Sequence, residues 1–235
     1  MTEFSVAILC GGRSSRMGQD KAEMKLQAGG PRMVDRLLAA FSDCDEIILS
    51  LRDETQLPDI GGIEDESSGN LAQESGEKVT VDQRNLPLHV TRVIDPISGV
   101  GPLAGIVASL RASRHEIMFA AAVDMPYLDK NFAEELLRAV KTETSVGNES
   151  SVIPVDDDGD WDILLPADPD GRPHPLCAFY KKSVLPVLEE CLQNGTYSLW
   201  RCFQKLRTIK VPATLLPESD RKLVNLNRPE DVKNH

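Results

Sequence analysis

The chain alternates short apolar runs with segments whose apolar residues recur every three or four positions. Phe4 to Leu9 is an unbroken apolar run apart from Ser5, the pattern of a strand covered on both faces. Met33, Leu37, Leu38 and Phe41 share one face of a helix expected over 33–41, with Pro31 just ahead as a start signal. Further strands are expected at Glu46 to Leu51, at His89 to Ile94 and at Ile117 to Val123, the last with the continuous apolar character of a central parallel strand. Helices are expected at Leu103 to Leu110, opening at Gly101-Pro102, and at Asn131 to Val140. Ser151 to Val155 reads as another strand, and Ala178 to Tyr180 lead into a helix near 182–193 that Gly195 terminates. Strand followed by helix, repeated, predicts an α/β fold in three layers, with helices on both faces of a doubly wound, mostly parallel sheet.

Two stretches break the pattern. Residues 59–82 hold seven acids against one lysine, with few large apolar residues, and read as a solvated acidic insertion. Residues 156–170 hold seven aspartates. They fail as a calcium loop, because the sixth position from Asp156 is Trp161 rather than Gly and the twelfth is Ala167 rather than Glu. The expectation is one domain of 235 residues with flexible acidic insertions at 59–82 and 156–172. The formal net charge of −11 argues against non-specific nucleic-acid binding. The five cysteines lack CxxC spacing and read as reduced thiols. No apolar run near 18 residues and no signal-peptide pattern is present, so no membrane association and a cytoplasmic location are expected.

The richest chemistry lies between Leu9 and Lys21, where a strand runs into Leu-Cys-Gly-Gly-Arg-Ser-Ser-Arg-Met-Gly-Gln-Asp-Lys. Glycines let backbone N–H groups approach a phosphate, and Arg13, Arg16 and Lys21 supply the charge a polyphosphate needs. The string is neither a Walker A loop, since Lys21 is followed by Ala22, nor the Gly-x-Gly-x-x-Gly dinucleotide fingerprint. Ligands of doubly wound sheets sit at the carboxyl ends of parallel strands, where this loop, Asp95 and Asp124 all fall. An acid at the end of an apolar run needs a partner, and Mg²⁺ is one. The plain structural alternatives are a turn or helix cap at Asp124 and an Asp-Pro turn at Asp95.

From Gly11 to Lys21 the chain resembles the molybdenum cofactor guanylyltransferases, within the nucleotidyltransferases of Rossmann-like fold. The resemblance continues in Gly101-Pro102-Leu103-Ala104-Gly105, in Val123-Asp124-Met125-Pro126-Tyr127, in His174-Pro175-Leu176 and in Val224-Asn225-Leu226-Asn227-Arg228-Pro229-Glu230. It implies Mg²⁺-dependent transfer of GMP from GTP to the terminal phosphate of a molybdopterin-type acceptor, with pyrophosphate released. It assigns Arg16, Lys21 and Asp124 to catalysis, and Asp124 to the Mg²⁺. Leu9, Cys10, Gly11, Gly12, Lys21, Asp95, Gly101, Pro102 and Leu103 fall to the nucleotide, with N–H groups over 9–12 holding nucleotide atoms. His174, Asn225 and Asn227 fall on the acceptor side, although turns and a satisfied structural histidine remain equal readings of these residues. Molybdoenzymes or cofactor-insertion proteins are the implied partners. One departure matters: Ser50-Leu51-Arg52 stands where the guanylyl enzymes commonly place asparagine. A cytidylyltransferase, a transferase acting on another phosphorylated acceptor, and a non-catalytic nucleotide-binding protein therefore stay open.

Overall fold

A computed structural model of the chain describes residues 3–11, 20–60, 90–97, 99–141, 160–226 and 231. Among them, seven strands form one sheet: β1 (Ser5–Leu9), β2 (Ile47–Leu51), β3 (Val90–Ile94), β4 (Ile117–Ala122), β5 (Ile163–Ala167), β6 (Cys177–Lys181) and β7 (Thr208–Pro212). Their order across the sheet is β3-β2-β1-β4-β6-β5-β7, with only β6 antiparallel to its neighbours. The helices are α1 (Met33–Ala40), α2 (Pro102–Ala112), α3 (Lys130–Lys141), α4 (Leu185–Gln193), α5 (Leu199–Phe203) and α6 (Ser219–Lys222).

The unbroken apolar strands are explained by two cores, one on each face. Val6 and Ile8 of β1 and Ile117, Phe119 and Ala121 of β4 enter one core with α1 and α3. Ala7, Leu9, Met118 and Ala120 enter the other with α2, α4 and α5. On the first face Phe4, Phe179, Phe119 and Phe41 form a chain of ring contacts with centroids 5.0–5.9 Å apart. On the second, Ala7, Ala120 and Ala178 stand side by side across β1, β4 and β6. Helix α2 packs on the same face over β1, β2 and β3 and against α4.

Most expected elements are found to within two residues, and Gly195 ends the α4 region at φ +68° as expected. Pro31 precedes the N-cap residue Arg32 rather than occupying the first helical turn. The acidic stretch 156–172 needs correction, because it contains buried strand β5. Aspartates flank the apolar core of that strand and mask its composition. Pro166 is tolerated there because β6 pairs only with Ile163 and Leu164, and opposite Pro166 the His174 carbonyl accepts from Cys177 N–H instead. The described ends of the first insertion are Asp59, which binds Arg32, and buried Ile60. The strand expected at 151–155 and most of 59–82 lie outside the described residues.

At the amino end of the sheet, away from the loop that follows β1, buried Glu46 accepts hydrogen bonds from Ser5 Oγ and from the Arg114 backbone N–H, the latter at 2.9 Å. The carboxylate thereby joins β1, β2 and the α2–β4 turn. Glu46→Ala would leave both donors without that acceptor and should lower the unfolding free energy by about 2–3 kcal/mol, read from urea denaturation midpoints.

Candidate active site

Strands β1 to β4 are parallel, so the segments after β1, β3 and β4 reach the same edge of the sheet. From β1 the chain moves out through β2 to β3, whereas β4 lies on the other side of β1. The crevice between β1 and β4 is therefore a topological switch point, the usual ligand position in open α/β sheets. There Lys21 Nζ donates to Asp124 Oδ2 at 2.7 Å, and both side chains are about four-fifths buried.

Each member of this pair is fixed by its neighbours. Asp20 caps the short 3₁₀ turn Lys21–Glu23, its Oδ1 accepting from Ala22 N–H at 3.0 Å. Arg32, nearly buried at the start of α1, donates to Glu23, Asp35 and Asp59 and ties that turn to the helix. Asp124 lies just past β4, and its backbone oxygen accepts from Leu226 N–H at 2.8 Å. That bond brings Asn225, which is exposed, alongside Asp124.

A second cluster lies on the other side of β1. Ser50 Oγ donates to Asp95 Oδ1 at 2.6 Å, carrying the β3 acid back over the end of β2. Gly11 and Gly105 close around this pair. A Cβ on Gly11 would come nearer than 3.0 Å to Asp95 Oδ2, and one on Gly105 equally near Ser50 Oγ. Both glycines are required by close approach rather than by turn geometry. Burial raises the Asp95 carboxyl above the ordinary carboxylate range, against the lowering effect of the Ser50 hydrogen bond. The nearby N-terminus of α2 begins at Gly101, whose φ of +88° calls for glycine, followed by Pro102 and buried Leu103.

Sequence reasoning missed the residue that joins the two clusters. Gln56 is buried, and its side-chain Nε2 donates to Cys10 O at 3.1 Å and to Asp20 Oδ2 at 2.6 Å. Its Oε1 accepts from Arg52 N–H at 2.7 Å. One amide thus clamps both ends of the loop between Cys10 and Lys21. A lone glutamine in a polar stretch carries no sequence pattern that would single it out.

Other expectations meet the geometry unevenly. Cys10 N–H and Gly11 N–H both donate to Ser50 O, at 2.9 and 3.2 Å, and Leu9 O accepts from Val123 N–H. The amides at Cys10 and Gly11, expected to hold nucleotide atoms, are thus both turned toward the end of β2 in this structure. Burial holds the Cys10 thiol far above its ordinary pKa, which removes it as a nucleophile. His174 pairs with Asp168 at 2.8 Å in the β5–β6 connection, and Leu176 O two residues later accepts from Ala122 N–H at the end of β4. The histidine segment therefore borders Asp124, while the imidazole itself is engaged by a carboxylate. Gly12, Arg16 and Asn227 lie outside the described residues.

Among the described residues no group of three His, Cys, Asp or Glu side chains converges as a metal cage. Asp124 alone still suits Mg²⁺, which keeps several waters and takes one or two carboxylates with substrate phosphates. Among the described residues no helix is long and apolar enough to cross a membrane.

This arrangement of a mostly parallel sheet, a loop at the switch point and a lysine–aspartate pair defines a nucleotide-handling α/β enzyme. The chain belongs to the MobA-like NTP transferase domain family, whose model matches residues 6–209, and is thus a nucleotidyltransferase. It is 28% identical over 98% of its length to a probable molybdenum cofactor guanylyltransferase of Methanosarcina mazei, covering 88% of that protein. It is 27% identical to one of Carboxydothermus hydrogenoformans, covering 99% of this chain and 95% of the relative. Among solved structures, the molybdopterin-guanine dinucleotide biosynthesis protein A of Archaeoglobus fulgidus shares the fold, with a TM-score of 0.68, 22% identity, and coverage of 98% and 96% of the two chains.

Two outcomes test the Ser50–Asp95 cradle. Gly105→Ala should destabilise the protein although alanine is the better helix former, and the loss should shrink in a Ser50→Ala background, read as thermal midpoints in a double-mutant cycle. Asp95 has a raised pKa in the fold, so its ionised form opposes folding once the pH exceeds the folded value. Asp95→Asn should therefore be more stable than the parent at pH 7. That advantage should fade as the pH falls through the raised folded pKa and be gone below the ordinary aspartate pKa of about 3.9, checked by urea unfolding at pH 7 and below that value.

Proposed function

We propose that the chain transfers GMP from GTP to the terminal phosphate of a molybdopterin-type acceptor, releasing pyrophosphate. The observation that carries this reading is the Lys21–Asp124 pair at the switch point between β1 and β4. The names of the relatives and the resemblance at Gly11 to Lys21 supply the substrates.

An acceptor phosphate oxygen attacks the α-phosphorus of the nucleotide, forming a new P–O–P linkage. The bond from the α-phosphorus to the bridging oxygen breaks, and pyrophosphate leaves with the electron pair. A phosphate monoester is already a nucleophile near neutral pH, so the protein needs no general base or covalent nucleophile. Its work is positioning and charge neutralisation. Lys21, held in place by the capped 3₁₀ turn, exchanges its carboxylate partner for triphosphate oxygens. Arg16 adds charge on the leaving pyrophosphate. Asp124 would hold Mg²⁺, which supplies positive charge to phosphate oxygens when bound. Asn225 would orient a phosphate oxygen beside Asp124, and Asn227 is expected to assist from the same segment. Gln56 keeps the loop ends together so that these charges stay aligned.

Ser50 favours a second reading for the base. Its hydroxyl is committed to Asp95, and no amide stands at this position for a guanine edge. Transfer from CTP, or to a different phosphorylated acceptor, is the runner-up.

Pyrophosphate release with Mg²⁺ and a molybdopterin-type acceptor separates these readings when GTP is compared with CTP, ATP and UTP. Turnover with GTP alone is expected, and turnover with CTP alone would move the chain to the cytidylyl reaction. Lys21→Met and Asp124→Asn should each lower kcat by about 100-fold or more while the protein stays folded. Full activity in either variant would remove that residue from the chemistry.

A further inference from the structure

The turn that follows Asp124 opens onto a cavity that the chemistry above leaves unused. It measures about 420 Å³ and is lined by Leu26, Gln27, Arg36, Tyr127, Arg221 and Val224. The Arg36 guanidinium carbon lies 5.8 Å from the centre of the Tyr127 ring, and that of Arg221 lies 5.0 Å from it. Arg36 Nε is shut off from solvent and has no hydrogen-bond partner, one of two such side-chain atoms among the described residues. A buried, positively charged N–H without an acceptor is costly, and a fold gains nothing by keeping it. Arg36 as a whole is half-buried and lines the cavity, so what it offers a carboxylate or phosphoryl group there is the remainder of its guanidinium rather than the closed Nε.

Charge around the cavity agrees with an anionic ligand. Arg221 is exposed, and beside its contact with the Tyr127 ring its guanidinium makes a 3.8 Å ion-pair contact with Glu218. Asp220 also lines the cavity and offsets one of the two positive charges, leaving the half-buried Arg36 as the stronger attraction. The cavity also adjoins the transfer site by the chain path. Tyr127 follows Asp124 by three residues, and Val224 precedes by two the residue whose N–H binds Asp124 O.

We infer that this cavity is an oxyanion pocket, in which Arg36 and Arg221 hold a phosphoryl or carboxylate group beside Tyr127. Two sources share that chemistry, the phosphate of the acceptor before it attacks and a free oxyanion. The first rests on the transferase reading above, whereas the pocket itself does not.

Calorimetric titration with inorganic phosphate tests the pocket on the wild type, Lys21→Met and Arg36→Met. Arg36→Met should weaken by at least about tenfold a phosphate-binding event that Lys21→Met leaves intact. Its thermal midpoint without phosphate should match or exceed the wild type, because the substitution removes an unsatisfied buried N–H. Phosphate binding unchanged in Arg36→Met would overturn the inference. So would a midpoint lower by several degrees, which would make the guanidinium a packing element on Tyr127. Steady-state kinetics then identifies the source. A raised KM for the acceptor with an unchanged KM for the nucleotide assigns the pocket to the acceptor. Phosphate that alters the rate without competing with the acceptor, an effect lost in Arg36→Met, assigns it to a free anion. Failure of the transferase reading would appear separately, as absent turnover with the Arg36-dependent phosphate binding intact.

Discussion

The parallel pairing of β1 with β4, from Ser5 opposite Met118 to Leu9 opposite Ala122, is the contact on which the rest of the site depends. These strands are separated by more than 100 residues of chain, and their adjacency brings Lys21 within 2.7 Å of Asp124. Neither charge would be stable alone at the end of a buried strand. Paired, they keep a cation and an anion at the switch point without a ligand.

Around that pairing the protein trades stability for chemistry. Asp95 is held in surroundings that raise its pKa, and two glycines give up side chains so that it and Ser50 can sit between β1 and α2. Arg36 keeps an N–H without an acceptor. Two structural charges are fully engaged: Glu46 has its donors at the amino end of the sheet, and Arg32 has three carboxylates at the start of α1. The desolvated Asp95 and the Arg36 N–H lie toward the end of the sheet that carries Lys21 and Asp124, whereas Ser109 Oγ, the other buried atom without a partner among the described residues, lies late in α2.

Much of this was legible along the chain. Apolar runs in β1, β2 and β4 mark strands with both faces covered, because alternation disappears when neither face meets water. The Gly11–Lys21 string and the acids after β3 and β4 announce phosphate chemistry through residue type and position at strand ends. Strand β5 was hidden because its flanking aspartates dominate the local composition, although the strand itself is buried. Helices α5 and α6 are short, and short helices hold few periodic positions to read, while β7 is as long as β1 but holds only two large apolar residues and ends in proline. Gln56 was invisible for a different reason: its role rests on two partners, one 46 residues before it and the other 36.

The sequence by itself determined the class of fold, the family string from Gly11 to Lys21 and the charged residues at the ends of β3 and β4. These follow from local patterns, since burial on two faces, glycine spacing and cationic side chains leave marks within a dozen residues. Only the tertiary structure decided which charges meet. It paired Lys21 with Asp124, turned Cys10 and Gly11 N–H toward Ser50, engaged His174 with Asp168 and set Arg36 beside Tyr127. Strand order and helix packing settle such contacts, and these depend on the summed burial of two cores rather than on any one segment.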